Sequence, residues 1–313
     1  MSGQVHTVVS LWFWLLFVVF VVLMLGLDLL VVNRKAHVVK LKEALGWVGV
    51  WVCLALVFNL GVWWYRGSGK ALEFFTAYLV EYSLSVDNLF VFLLIFSYFH
   101  IPKNFEHKVL FWGILGALIT RISFILAGVT LISKLHWVIY IFGGFLVLVG
   151  IRMFFSKAED VHPEKNFALR AFKRFMPVTH ELEGGRFFIN PAGRWLATPL
   201  FVAVLVIETT DVVFALDSIP AVLSITRDAF IAYTSNVFAV LGLRSLFFAL
   251  SGMMRMFRHL KYGLSVILVF VGAKMLIDDY FQIPIGIALM VVAGILALSI
   301  IASLIGAKPK LET

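Results

Sequence analysis

Nine apolar runs of twenty to thirty residues fill most of this chain and decide what it can fold into. A hydrocarbon core about 30 Å thick is crossed by roughly 20 residues of helix. No water is present there to satisfy backbone N–H and C=O groups, so such runs must be helical. The expected spans are Ser10–Val32, Glu43–Tyr65, Ala71–Phe99, His107–Ile132, His136–Phe155, Ala197–Thr226, Ala229–Met253, Leu260–Tyr280 and Ile283–Ile305. The fold class is therefore all-α, a polytopic membrane protein with about nine transmembrane helices in one domain over 1–313. Composition agrees: 62% of residues are hydrophobic and 14% charged, against about 45–50% and 25% in soluble domains. The first run is too long for a signal-peptide core and lacks a basic start and a small-residue cleavage site, so it is expected to be retained.

The net charge of +8 suggests nucleic acid until its distribution is examined. With the N-terminus outside, nineteen Lys and Arg residues fall in inner segments and four (Arg66, Lys70, Lys134 and Arg227) in outer ones. That bias orients the spans and leaves the C-terminus in the cytoplasm. Arg121, Arg244 and Lys274 stay within spans. The one long connection, Ser156–Trp195, contains Phe167–Phe175 (FALRAFKRF), whose apolar and basic residues alternate at helical spacing. It reads either as an amphipathic helix on the inner surface or as a partly ordered linker.

Against this apolar background, Glu81, Asp87, Glu208, Asp211 and Asp217 sit at depths where a charge costs at least ~2.5–3.5 kcal/mol. Carboxylates persist there when they face one another, a cavity or a cation. Glu208 and Asp211 share a helix face. Glu81 and Asp87 are rotated by about 120° and separated by about 9 Å, so both can bind one ion only if the helix distorts or the other acidic span contributes. Asn88, Ser85, Ser218, Thr209 and Asn236 can add neutral oxygens. An all-oxygen set favours Mg²⁺, Ca²⁺ or Mn²⁺, and the candidate metal ligands are Glu81, Asp87, Asn88, Glu208, Asp211 and Asp217. All eight histidines lie at span ends or in loops, which disfavours zinc, copper and bis-histidine haem. Cys53, the one cysteine, excludes an internal disulfide and reads as a packed thiol. Asp28, Glu43, Glu73, Asp278 and Asp279 lie near span ends and read as solvated or snorkelling. Arg121 and Arg244 either neutralise the acids in the empty state or join helices. Crowded carboxylates in low dielectric cannot all stay ionised without a cation, so they can also exchange protons.

The long loop divides two similar triplets of spans. Glu81-x5-Asp87-Asn88 matches Asp211-x5-Asp217-Ser218, Arg121-x-x-Phe124 matches Arg244-x-x-Phe247, and Val149–Met153 (VGIRM) matches Val271–Met275 (VGAKM). Residues 71–155 and 197–280 are thus the expected first and second repeats. The acidic motifs lie in the third and sixth spans, which run inward and outward, so the repeats have opposite topology, a plan that recurs in secondary transporters with midplane sites. Pro220, three residues after Asp217, is expected to free the Leu216 carbonyl at a kink.

The segments EYSLSVDNLFVF, ETTDVVFALDSIPAV, TSNVFAVLGLRSLFF and KYGLSVILVFVGAKM resemble the TerC family of integral membrane proteins, nearest its Alx-like branch, over nearly the whole chain. The resemblance implies Mn²⁺ export from the cytoplasm across a bacterial inner membrane, with the family's acidic positions at Glu81, Asp87, Glu208, Asp211 and Asp217. An older family label, membrane-bound redox modulator, finds no support in one cysteine. The expected partners are a divalent metal ion and the lipid bilayer, not nucleic acid. No enzymatic activity and no resident cofactor are expected, Mn²⁺ being the transported ion. The competing readings are a membrane stress-response scaffold without transport and a Na⁺- or Ca²⁺-coupled exchanger.

Overall fold

The computed structural model describes residues 11–27, 41–135, 137–155, 167–179, 182, 184–191, 194–251 and 260–306. The chain divides into two units, Met1–His37 and Val38–Thr313. The first contains α1 (Leu11–Leu27), whose Phe17 and Phe20 rings stack at 6.2 Å. The second contains α2 (Leu41–Arg66), α3 (Ser68–Tyr98), α4 (Lys103–Lys134), α5 (Val138–Phe155), α6 (Phe167–Phe175), a two-stranded hairpin β1 (Phe188–Ile189) and β2 (Leu196–Ala197), α7 (Pro199–Leu223), α8 (Ala229–Ser251), α9 (Leu260–Ile277) and α10 (Ile285–Gly306).

Each expected span contains a described helix, and seven helices among the described residues are long and apolar enough to cross a bilayer. The remaining two are α1, with 17 residues, and α9, with 18 residues including Lys261 and Lys274. The expected count of nine is thus met on length and composition by seven.

The centre of the second unit is α3 and α8. The apolar window of α8 is 89% buried and that of α3 69%, whereas α2 and α10 bury 17% and 22%. Lipid is as apolar as leucine, so helices associate here through close packing and polar contacts rather than through exclusion of water. Phe58 of α2 meets Phe238 of α8 at 4.9 Å and Phe74 of α3 at 5.2 Å, centroid to centroid. The α5–α9 contact uses small residues. A Cβ on Gly272 would stand 2.7 Å from the Gly143 carbonyl oxygen, and one on Gly150 2.8 Å from that of Ser265. Only residues without a side chain let the two backbones approach so far.

The packing has a regularity. α3 lies on α8, α4 on α7 and α5 on α9. Exchanging α3–α5 for α7–α9 turns the first two pairs into each other and maps the third onto itself. In the VGIRM/VGAKM alignment Gly150 corresponds to Gly272 and Gly143 to Ser265, so the two α5–α9 contacts above are images of each other.

One end of the second unit is held by charge. Asp228 accepts the backbone N–H of Phe230 at 3.0 Å, capping α8, and pairs with Arg66 at 2.8 Å. Glu73 accepts Lys70 at 2.6 Å and Thr226 at 2.5 Å. Glu73, expected to be solvated, is therefore tied to two partners. Asp278 pairs with Arg227 at 3.6 Å, and Asp279 accepts the Tyr140 hydroxyl; Asp28 lies outside the described residues. At the start of α4, Lys108 donates to the Gly185 carbonyl at 2.8 Å and lies 4.5 Å over the Phe187 ring. Thr198, preceding α7, donates to the Arg186 carbonyl at 2.7 Å. The long loop is thus more than a linker. It forms the expected helix α6, placed on α7 through Phe172 and Phe201, 5.1 Å apart, and a hairpin that the sequence reading did not anticipate. One further expectation is corrected. Cys53 is exposed on α2 rather than packed, because little of α2 faces the protein. α7 continues as a helix through Pro220 to Leu223, and the proline leaves the Leu216 carbonyl without its helical N–H donor.

Candidate functional site

On α3, Glu81, Ser85 and Asn88 lie at i, i+4 and i+7, and such a spacing brings side chains to one face. On α7, Asp211 and Ser218 have the same seven-residue relation, with Glu208 one turn before Asp211. The two faces meet around Arg121 of α4. Arg121 Nη2 donates to Asp211 Oδ1 at 3.1 Å and Nε to Oδ2 at 3.3 Å, a two-pronged hold on one carboxylate. Nη1 donates to Glu81 Oε1. Arg121 and Glu81 are 0% exposed and Asp211 3%. One guanidinium therefore joins three helices in a medium where an unpaired charge is very costly.

The triad does not satisfy everything around it. Glu81 Oε2 is buried and without a hydrogen-bond partner, as are Ser85 Oγ on α3, Ser218 Oγ on α7 and both polar atoms of the Asn236 side chain on α8. Buried polar atoms normally find partners, so the Glu81, Ser85 and Ser218 oxygens mark unused ligating capacity on the two helices that carry the carboxylates. Asn88 is 4% exposed. Glu208 is half-buried, its carboxylate seated against Gly116 of α4 where any Cβ would collide with it. Asp217 is half-buried on α7. Asp87 lies in α3, but its side chain is outside what the structure describes. Thr209 turns back on its own helix, donating to the Leu205 carbonyl at 2.8 Å.

Among the described residues, no three of His, Cys, Asp and Glu stand close enough together to hold a metal ion. Glu81 and Asp211 are brought together, but through Arg121. The expected acidic cluster is, in this arrangement, an arginine-bridged pair with Glu208 one turn away.

Tyr78 and Tyr82 escaped the sequence reading, as did the partners of Arg244 and Lys274. Tyr78 and Tyr82 place buried, unpartnered hydroxyls on the same side of α3; the 78, 82, 85 spacing was the available signal. His107, expected at a span boundary, lies within α4, and its Nδ1 is 2.8 Å from Nη2 of Arg244 on α8. Arg244, the counterpart of Arg121 in the repeat, thus has an imidazole for a partner. Lys274 donates to the Ser224 carbonyl at the end of α7, 3.1 Å away.

Comparison with known proteins places this architecture. The sequence profile of the integral membrane protein TerC family matches residues 66–311. A membrane protein of Myxococcus xanthus is 53% identical over 93% of this chain and 92% of its own length. Proteins named as membrane-bound redox modulator Alx in Salmonella typhi and Escherichia coli K12 are 44% and 43% identical, each over 92% of both chains. No solved structure matches the chain.

Proposed function

This chain belongs to the TerC family of integral membrane proteins, and we propose that within that family it exports a divalent cation, Mn²⁺, through the carboxylates between α3, α4 and α7. The observation that carries the reading is the fully buried Glu81–Arg121–Asp211 bridge with an orphaned Glu81 oxygen beside it. An apolar helix bundle has no structural need for five acids at this depth, whereas a path for a doubly charged ion does. A hard cation takes about six oxygens. Glu81, Asp211, Glu208 and Asp217 supply charged ones, Ser85, Asn88 and Ser218 neutral ones, and Asp87 completes the set proposed from the sequence. The absence of histidine and cysteine from this set favours Mn²⁺ over zinc or copper.

The exchange pattern among α3–α5 and α7–α9 supports an inverted repeat around the site, a frame suited to alternating access. The basic-residue bias supports an inner-membrane protein with the N-terminus outside and the C-terminus in the cytoplasm. The relatives' name speaks of redox modulation. One cysteine cannot form a dithiol pair within this chain, so the carboxylates are the better supported chemistry. A membrane scaffold is the second reading, favoured by one fact: Arg121 fastens three helices together.

Purified protein in liposomes with a Mn²⁺-sensitive dye separates the two. Asp87→Asn and Asp217→Asn keep side-chain size and remove charge. Transport by the wild type that both variants lose while remaining folded supports export. Transport unaltered in both removes these acids from the path, and loss of folded protein in both favours the scaffold.

A further inference from the structure

We propose that Arg121 is an internal counter-cation: the transported ion displaces it, and its return to Glu81 and Asp211 allows the emptied protein to reset. The inference rests on the export reading above and deepens it.

The guanidinium occupies the place an ion would take. It lies between two carboxylates from different helices, fully enclosed, and uses three of their four oxygens. The fourth, Glu81 Oε2, is buried and unpartnered. An ion entering toward that free oxygen meets a pair already held by a positive charge that cannot be removed by deprotonation. Both cannot stay, because like charges in a low-dielectric site repel strongly. The charges also differ. Glu81, Arg121 and Asp211 sum to −1, whereas the same two carboxylates around a divalent ion sum to zero. Arg121 is therefore a weaker neutraliser than the cargo, and the cargo can expel it.

The displaced arginine has somewhere to go once the ion has passed Glu208 and settled between Glu81 and Asp211. Glu208 lies one turn from Asp211 on the same face of α7, about 5–6 Å away at Cβ. Its carboxylate rests against Gly116, five residues before Arg121 on α4. When the ion leaves, two buried carboxylates would face each other uncompensated, and a buried charge left without its partner costs several kcal/mol. The arginine closes that gap from within the protein.

The test compares wild type with Arg121→Gln and Arg121→Lys. Mn²⁺ affinity is read by calorimetry on purified protein. Two fluxes are read in liposomes: net efflux into Mn²⁺-free buffer, which requires the empty protein to reset, and exchange of labelled Mn²⁺ with Mn²⁺ on both sides, which does not. A close charge pair freed of its competitor should let Arg121→Gln bind Mn²⁺ at least about tenfold more tightly, and the ratio of net efflux to exchange should fall at least about tenfold. Arg121→Lys keeps the charge without the two-pronged geometry, so its affinity and flux ratio should lie between the other two. Unchanged affinity, with both fluxes falling in proportion, would make Arg121 a structural tie and overturn the proposal. If Arg121→Gln fails to fold, Arg121→Lys decides by the same two readouts. Wild type that binds no Mn²⁺ overturns the export reading and this one with it. Wild type whose affinity is indifferent to residue 121 overturns this one alone.

Discussion

Gly116→Ala tests the seat of Glu208 with a single methyl group. A Cβ at this position would overlap both carboxylate oxygens of Glu208 and its Cδ, its three nearest neighbours. Ordinary van der Waals contact needs 3.5–4.0 Å between such atoms, so the carboxylate must move by about 1 Å or more. It sits at the end of a flexible side chain, so the move costs about 0.5–1.5 kcal/mol in rotamer energy. Alanine returns about 0.5–1 kcal/mol by stiffening the helix interior. The two terms nearly cancel, and the folded protein should melt within about 3 °C of wild type. Function should not be so forgiving, since a 1 Å displacement of a positioned group can cost on the order of a hundredfold in rate. Mn²⁺ flux in liposomes should fall at least tenfold. Gly144→Ala, at a position with open space around it, is the control and should leave flux unchanged. Full flux in a folded Gly116→Ala protein would refute the idea that the position of Glu208 matters.

Three further outcomes follow from other parts of the fold. Gly272→Ala drives a methyl against the Gly143 backbone oxygen, which cannot swing away, so it should destabilise by about 1–3 kcal/mol, read as a lower melting temperature in detergent. Asp228→Ala removes both the α8 cap and the Arg66 partner and should cost about 1–2 kcal/mol, whereas Asp228→Asn, which retains the cap, should cost less; equal melting temperatures for the two would put the energy in the ion pair. Reporter fusions at Thr313 and within residues 156–195 should both read cytoplasmic, and an external signal from either would reverse the proposed orientation.

Much of the fold was legible because a bilayer allows so few solutions. Apolar length located the seven helices among the described residues that are long and apolar enough to cross a bilayer, and the FALRAFKRF spacing gave α6 with its ends. The site was legible by residue type but not by pairing. Arg121 stood out as a charge in an apolar run, yet nothing in a linear sequence says that it would join Glu81 and Asp211 rather than one acid, or that Arg244 would turn to His107. These choices depend on how α4 and α8 are rotated against their neighbours. Neighbouring helices come close at Gly113, Gly116 and Gly242, where an added Cβ would crowd Ile207, Glu208 and Tyr82, and glycine carries no periodic signal of its own. The hairpin escaped for another reason: two-residue strands are too short to show alternation, and it is held by Lys108 and Thr198 from outside.

The exposed position of Cys53 gives the chain a ready-made attachment point. It is the one thiol in 313 residues and lies exposed on α2. A spin label or an apolar fluorophore can be attached there without first building a cysteine-free background. A second cysteine introduced on α4 or α7 then makes a pair of probes within one molecule, and the distance between them can be followed as the protein is loaded and emptied.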